Sequence, residues 1–221
     1  MDILFDDKIR SAAPGLQVIA IEATVCNSPT PDDLWDAICR TAADMASVLK
    51  LSDVNKRPAI SATRAAYKAL GKEPNRYRPS AEALTRRAVK GMELYRIDTL
   101  VDLINLVSLR SGYSIGGFDL DKIQGDVLTL GVGREGEPFE AIGRGLLNIA
   151  HMPVYRDEIG GIGTPTSDNE RTKLDASTTR LLMCVNIYGE EMPPAELTVL
   201  CTDLLEKYAS ASDITVKYFR P

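Results

Sequence analysis

The sequence predicts an α+β fold, a layered arrangement in which helices pack on a mixed or antiparallel β-sheet. Apolar residues recur at helical spacing in consecutive stretches between about residues 30 and 110, and strand-like segments rich in β-branched residues follow over about 112–221. A length of 221 residues with 44% hydrophobic and 26% charged content suits one domain over 1–221 with a substantial core. The same composition excludes disordered, collagenous and low-complexity chains.

Each element has a local reason. Leu16 to Cys26, LQVIAIEATVC, reads as a strand. Thr30 then serves as an N-cap, Pro31 takes the first helical position, and Asp32 and Asp33 complement the helix dipole. Leu34, Ile38, Met45, Val48 and Leu49 hold the helical spacing to about Leu51. A second helix runs from Pro58 to Leu70 and stops at Gly71. After the loop KEPNRYRP a third begins at Ser80, a capping hydroxyl, followed by Glu82, Ala83, Leu84 and Val89. Asp98 caps a fourth over Thr99 to about Arg110, with Leu100, Leu103, Ile104 and Val107 at helical spacing, a stripe that buries Asp102 or Asn105 only if one lies at its edge. Strands follow at Val127–Val132, Met152–Arg156, Arg180–Ile187 and Ile214–Phe219, with a last helix over Pro194–Tyr208.

Several function classes fall away. The only histidine is His151, so a multi-imidazole zinc site is excluded, and between apolar neighbours it reads as a structural residue. No GxxxxGK[ST] loop occurs, and GVGREG lacks the spacing of a dinucleotide turn, so no nucleotide cofactor is expected. Cys26, Cys39, Cys184 and Cys201 are scattered in apolar surroundings and read as buried, reduced thiols. The start, MDILFDDKIRSAAPG, has three aspartates among its first seven residues and no signal-like apolar run. No stretch reaches the roughly 18 apolar residues of a membrane helix. A cytoplasmic protein without membrane attachment is the expectation.

Net charge is −5, yet between Lys50 and Arg96 twelve basic residues face four acidic ones. Tyr67, Tyr77 and Tyr95 are interleaved with these cations. A surface for RNA phosphates, built on Arg76, Arg78, Arg86, Arg87 and Lys90, accounts for the pattern; a solvated helical face balanced by acidic neighbours accounts for it as well. DNA is not expected as a partner.

The segments VDLIN (101–105) and GYSIGGFDLDKI (112–123), then GGIGTPTSD (160–168) and TTRLL (178–182), carry a family resemblance. They are similar to the VDITNY…GQPMHAFDLDKI and GGxxSxV…LLE segments of the B-three/B-four, or tRNA-editing, domain of phenylalanyl-tRNA synthetase beta chains, and the likeness covers about Ser80 to Tyr188. RPSAEALTRR, with the valine and KG after it, resembles the stand-alone members. The resemblance implies tRNA or aminoacyl-tRNA, or an amino-acid-like small molecule, as partner, and an aminoacyl-tRNA deacylase as the activity to consider. No aminoacylation motif is present, so ligase activity is not expected.

The departures bear on catalysis. The family's histidine falls on Gly116, its proline on Ser114 and its LLE glutamate on Met183 or Cys184, whereas Asn105, Phe118 and Asp119 match. The resemblance therefore implies a retained pocket with altered contents and weak or absent hydrolysis. Its walls are expected from Asn105, Ser114, Gly116 and Phe118 and from the polar stretch Thr164–Lys173, with Thr166, Ser167, Asp168, Glu170 and Arg171. In that stretch Asp168 or Glu170 suits an ammonium group and Arg171 a carboxylate or phosphate; a turn in which Ser167 or Asp168 caps the next element fits the same residues. Gly116 is expected beside Asn105 and one of Thr166, Ser167 and Asp168, leaving room for ligand, so that Gly116→Leu blocks binding at little cost in stability. Burial of Gly116 against packed side chains, with no cavity beside it, is the arrangement that ends the pocket reading.

Overall fold

A computed structural model describes residues 1–221. The chain runs β1 (Asp2–Phe5), α1 (Asp7–Ala12), β2 (Gln17–Thr24), α2 (Asp32–Val48), α3 (Pro58–Ala69), α4 (Ser80–Val89), α5 (Thr99–Ser111) and β3 (Ile115–Asp119). It continues through β4 (Val127–Val132), the short pair β5 (Glu140–Ala141) and β6 (Gly145–Leu146), β7 (Pro153–Arg156), β8 (Gly161–Gly163), β9 (Arg180–Ile187), α6 (Pro194–Ala209) and β10 (Ser212–Phe219).

β2 and β9 are nearly continuous apolar runs because both of their faces are covered. In β2, Ile19, Ile21 and Ala23 point to the helices and Val18 and Ala20 to the other side; in β9, Leu181, Met183 and Val185 alternate in the same way with Leu182 and Cys184. These strands are central in an antiparallel sheet ordered β10-β2-β9-β3. One face carries α2, α4, α5 and α6 over a core containing Leu34, Leu103, Leu106 and Leu205. The other meets a mixed sheet ordered β1-β4-β7-β8, in which the β1–β4 pair is parallel. Phe5, Phe118, Leu130 and Tyr155 fill the space between the sheets. The α+β expectation, mixed and antiparallel sheets packed by helices, describes this fold.

Local expectations fare unevenly. Asp98 does cap α5, its Oδ1 accepting from the Val101 N–H at 2.9 Å. Thr30 does not cap α2: Pro31 holds that position, and the Thr30 hydroxyl donates to Asp102 Oδ2 at 2.5 Å. Ser80 is the first residue of α4 rather than its cap, and its N–H donates to the Pro165 carbonyl at 2.8 Å. Ser114, Gly116 and Phe118, expected as pocket walls, lie on or just before strand β3, and β1, α1 and β8 carry too few apolar positions to stand out by period.

Cys184 and Cys201 are buried, and burial pushes the Cys201 thiol up to about 12. Cys26 and Cys39 are exposed, which corrects the expectation of four buried thiols. His151 is also exposed, held at φ 64° with Nε2 3.3 Å from Glu135 Oε1, so it is a turn residue outside the core. No helix is long and apolar enough to cross a membrane.

Candidate functional site

α5, β3 and the loop after β8 converge on a concavity of about 630 Å³. α5 contributes Val101, Ile104, Asn105 and Ser108; β3 contributes Ile115 and Gly117; the loop contributes Thr164, Ser167 and Asp168. Lys173 to Ala176 close one end, and Ile142 and Arg144, from the β5–β6 turn, form part of the rim. The walls mix aliphatic surface from Leu84, Ile104, Ile115 and Leu174 with polar and charged groups, Asn105, Asp168 and Lys173 among them.

The loop is rigid for reasons visible in its hydroxyls. Thr164 Oγ1 accepts the N–H groups of Thr166 and Ser167 at 3.1 and 3.0 Å, folding the chain back on itself. The Thr166 hydroxyl lies 2.8 Å from the buried Tyr67 hydroxyl and donates to the Tyr77 carbonyl at 3.3 Å, tying the loop to the helical layer. Asp168 is thereby held against β3, where its Oδ2 accepts the Gly117 N–H at 3.1 Å.

That carboxyl is raised to about 7 because burial disfavours its charge, an effect the Gly117 N–H offsets only in part. No side chain supplies a compensating cation: Lys173 turns to Glu170, Lys122 to Asp119 and Asp175, and Arg171 to Asp157. An acid raised in the folded state penalises folding above its folded pKa and releases that penalty as pH falls toward the unfolded value of roughly 4. Asp168→Asn is therefore expected to melt at a higher temperature than the parent at pH 8, with the difference shrinking toward pH 5. Thermal scans across that range read it directly.

The expected site residues divide sharply. Asn105, Ser167 and Asp168 line the concavity. Gly116 does not, because strand parity turns it away: Gly116 and Phe118 share the face that meets the second sheet, while Ile115 and Gly117 share the face toward α5. A Cβ on Gly116 would lie 2.6 Å from Phe118 Cζ, so the glycine is packed and gives no access to ligand. The concavity sits one residue along, at Gly117, so the packing half of the condition that would end the pocket reading is met while a cavity still lies beside the glycine. Gly116→Leu is accordingly expected to destabilise the protein by about 1–3 kcal/mol through overpacking, opposite to the small cost inferred from sequence; urea denaturation measures it.

The other expected site residues do not line the concavity and are engaged elsewhere. Phe118 is fully buried, edge-on to Tyr155 with centroids 6.3 Å apart. The Ser114 hydroxyl accepts the Ala81 N–H at 3.3 Å inside the fold, and Thr166 is committed to the two tyrosines. Glu170 pairs with Lys173. Arg171 forks onto Asp157 at 2.9 and 2.8 Å, in a separate cleft beside Arg156 and Glu137. Thr164 and Lys173, the ends of the polar stretch expected to form a wall, do line the concavity, whereas Arg144, which also lines it, lies in no pattern that spacing alone reveals.

A second concavity, also about 630 Å³, adjoins the first and shares Ser80, Leu84, Ile97, Asn105 and Arg144 with it. Arg78, Arg86, Arg87 and Lys90 line it with Arg144, so it is strongly cationic. Trp35, Met92, Tyr95 and Ile97 add apolar and aromatic surface, and the Arg87 guanidinium stacks 4.3 Å from the Tyr95 ring centroid. Tyr95 is 69% exposed, which leaves its ring open to a stacking partner. Asp102 borders this groove fully buried; burial raises its carboxyl, and its Oδ1 has no partner.

The basic segment is thus partly structural and partly free. Arg57 is bound to Glu191, Arg64 to Glu82, and Lys72 donates to the carbonyls of Asn148 and Ala150. Arg78 and Arg86 also reach Glu82, at 3.5 and 2.9 Å. Arg76 lies outside the groove, over Tyr77.

Comparison with known proteins agrees with the resemblance in the sequence. The B3/4 domain profile matches residues 62–192. The chain is 32% identical over 100 residues to the phenylalanine–tRNA ligase beta subunit of Bartonella henselae and, to the same degree, to that of Bartonella quintana. Each alignment covers 44% of this chain and 12% of the relative, so the chain spans a small part of those proteins. Among solved structures, an N-terminal fragment of the phenylalanyl-tRNA synthetase beta-subunit from Pyrococcus horikoshii aligns with 100% of this chain and 54% of its own length, at 11% identity and a TM-score of 0.49.

Proposed function

The chain belongs to the B3/4 domain family, and from that premise we propose that it binds an aminoacyl ester at the 3′ end of an RNA, with tRNA as the natural carrier, and hydrolyses it weakly or not at all. The observation that carries this reading is the continuity of the two concavities. A partly aliphatic space large enough for an aminoacyl group opens, past Asn105 and Arg144, into a cationic groove with an exposed tyrosine. The acyl group suits the first; phosphates and a stacked base suit the second. The junction residues then stand where an ester would lie.

Weak hydrolysis follows from what the acyl site lacks. It holds no histidine or cysteine, and its serines and threonine have no adjacent imidazole to activate them. Cys184 lies between the sheets with its thiol pushed far up by burial. Any residual ester loss would rest on positioning of substrate and water.

The experiment is a panel of tRNAs charged with different amino acids, assayed for binding and for ester loss against buffer. Tighter binding of charged than uncharged tRNA, with ester loss near the buffer rate, is the expected result. Ester loss far above buffer makes the chain a deacylase instead. Equal affinity for charged and uncharged tRNA removes the aminoacyl half of the reading. A second reading, binding of a free amino-acid-like molecule, draws on Asp168, whose charge inside the acyl site disfavours phosphate there; it predicts ligand binding that is indifferent to RNA.

A further inference from the structure

We propose that Asp168 makes the aliphatic concavity an amine-recognition site, its free carboxylate oxygen taking the ammonium group of a ligand whose apolar part lies against Ile104, Ile115 and Leu174. This rests on the reading of that concavity as a ligand site and adds what the ligand must carry.

Three features of the site support it. The carboxyl is anchored through Oδ2 to the Gly117 N–H, while no donor of the chain takes Oδ1. Space for it is cleared by glycines: a Cβ on Gly163 would lie 2.7 Å from Asp168 Oδ1, and one on Gly116 would lie 3.6 Å from it. The Phe118 ring seals the same spot from the intersheet side, at 2.6 Å from both of those Cβ positions. A carboxylate so placed is fixed in direction and partly desolvated, and a charge-assisted hydrogen bond from an ammonium group completes it.

The surrounding charges leave the place open. From the intersheet side Asp168 faces Cys184 and Tyr155, both kept neutral by burial. On its own loop Lys173 pairs with Glu170. Across the concavity Asp175 is held by Lys122, Asp98 is engaged as the cap of α5, and Arg144 stands on the exposed rim. The ligand's ammonium is the counter-charge the site itself lacks.

The consequence is a pH signature. An ammonium ligand requires Asp168 ionised, so below pH 7 it must displace a proton and its affinity falls by up to about tenfold per pH unit. A neutral ligand of the same shape pairs with either form and shows no such slope. Simple alkylamines stay protonated throughout, since primary amines titrate near roughly 10.

The test is a chemical-shift titration of the protein with 3-methylbutylamine and 2-phenylethylamine, each against its alcohol counterpart, at pH 8 and pH 6. At pH 8 the amines are expected to bind about tenfold more tightly than the alcohols, perturbing the Gly117 amide. That advantage should vanish at pH 6 and in Asp168→Asn. Equal affinity of amine and alcohol at pH 8 in the parent protein overturns the amine assignment while leaving the concavity a ligand site. No perturbation of Gly117 by any of the four overturns both. The parent pH comparison decides the matter even if Asp168→Asn folds poorly.

Discussion

Glu82→Ala is expected to cost about 3–5 kcal/mol of stability, because it removes the anion that three arginines share and leaves one of them, the buried Arg64, without a counter-charge. Glu82 is fully buried on α4, with Arg64 Nη1 at 2.8 Å, Arg86 Nε at 2.9 Å and Arg78 Nε at 3.5 Å. Arg64, on α3, is itself buried and also donates to Asn75 Oδ1 and the Pro74 carbonyl. Without Glu82 the Arg64 guanidinium stays in the interior with no counter-charge, and α3 loses its polar tie to α4. Glu82→Gln keeps acceptor and shape and should lose distinctly less. Urea denaturation with an unchanged slope and a lowered midpoint is the expected readout; a midpoint equal to the parent's would show that the cluster contributes nothing.

The second large effect is on RNA binding. The pair Arg86 and Arg87 looks from sequence like the natural target for charge reversal, but a glutamate at 86 would meet Glu82 in the interior and confound binding with folding. Arg87 and Lys90 are the clean pair: Arg87 stacks on exposed Tyr95, Lys90 is an exposed residue of the groove, and neither compensates a buried acid. Arg87→Glu with Lys90→Glu should lower affinity for a short single-stranded RNA by about 10- to 100-fold at low salt and reduce the slope of log affinity against log salt by about 1.4. The melting temperature should hardly move. Unchanged affinity with an unchanged slope would take the groove out of RNA recognition.

How much of this was legible in the sequence depends on whether a signal was periodic or pairwise. β4 and β9 are visible to the residue, and α6 nearly so, because their apolar patterns are strong. The walls of the first concavity are legible as segments, since Asn105, Ser167 and Asp168 do face one space. What fails is phase and pairing. Gly116 and Gly117 are equivalent in sequence, and only the register of β3 on β9 decides which faces α5. Arg171 is three residues from Asp168, yet the 3₁₀ turn Glu170–Thr172 carries it to Asp157. Thr30 has every local mark of a helix cap, and a carboxylate 72 positions away claims its hydroxyl. The neutralised part of the basic segment is hidden for the same reason: one glutamate, Glu82, absorbs three arginines drawn from separate positions.

The central claim is that acyl site and basic groove act as one aminoacyl-RNA site joined at Asn105 and Arg144. It is tested most directly by amide chemical shifts of the protein titrated with an RNA minihelix carrying a 3′-aminoacyl amide, a linkage that cannot be hydrolysed as an ester, and with the same RNA uncharged. Both RNAs are expected to perturb Arg87, Lys90 and Tyr95, while only the charged one perturbs Gly117, Asp168 and Leu174. Perturbation of the groove alone by both RNAs, or of neither region by either, would contradict it.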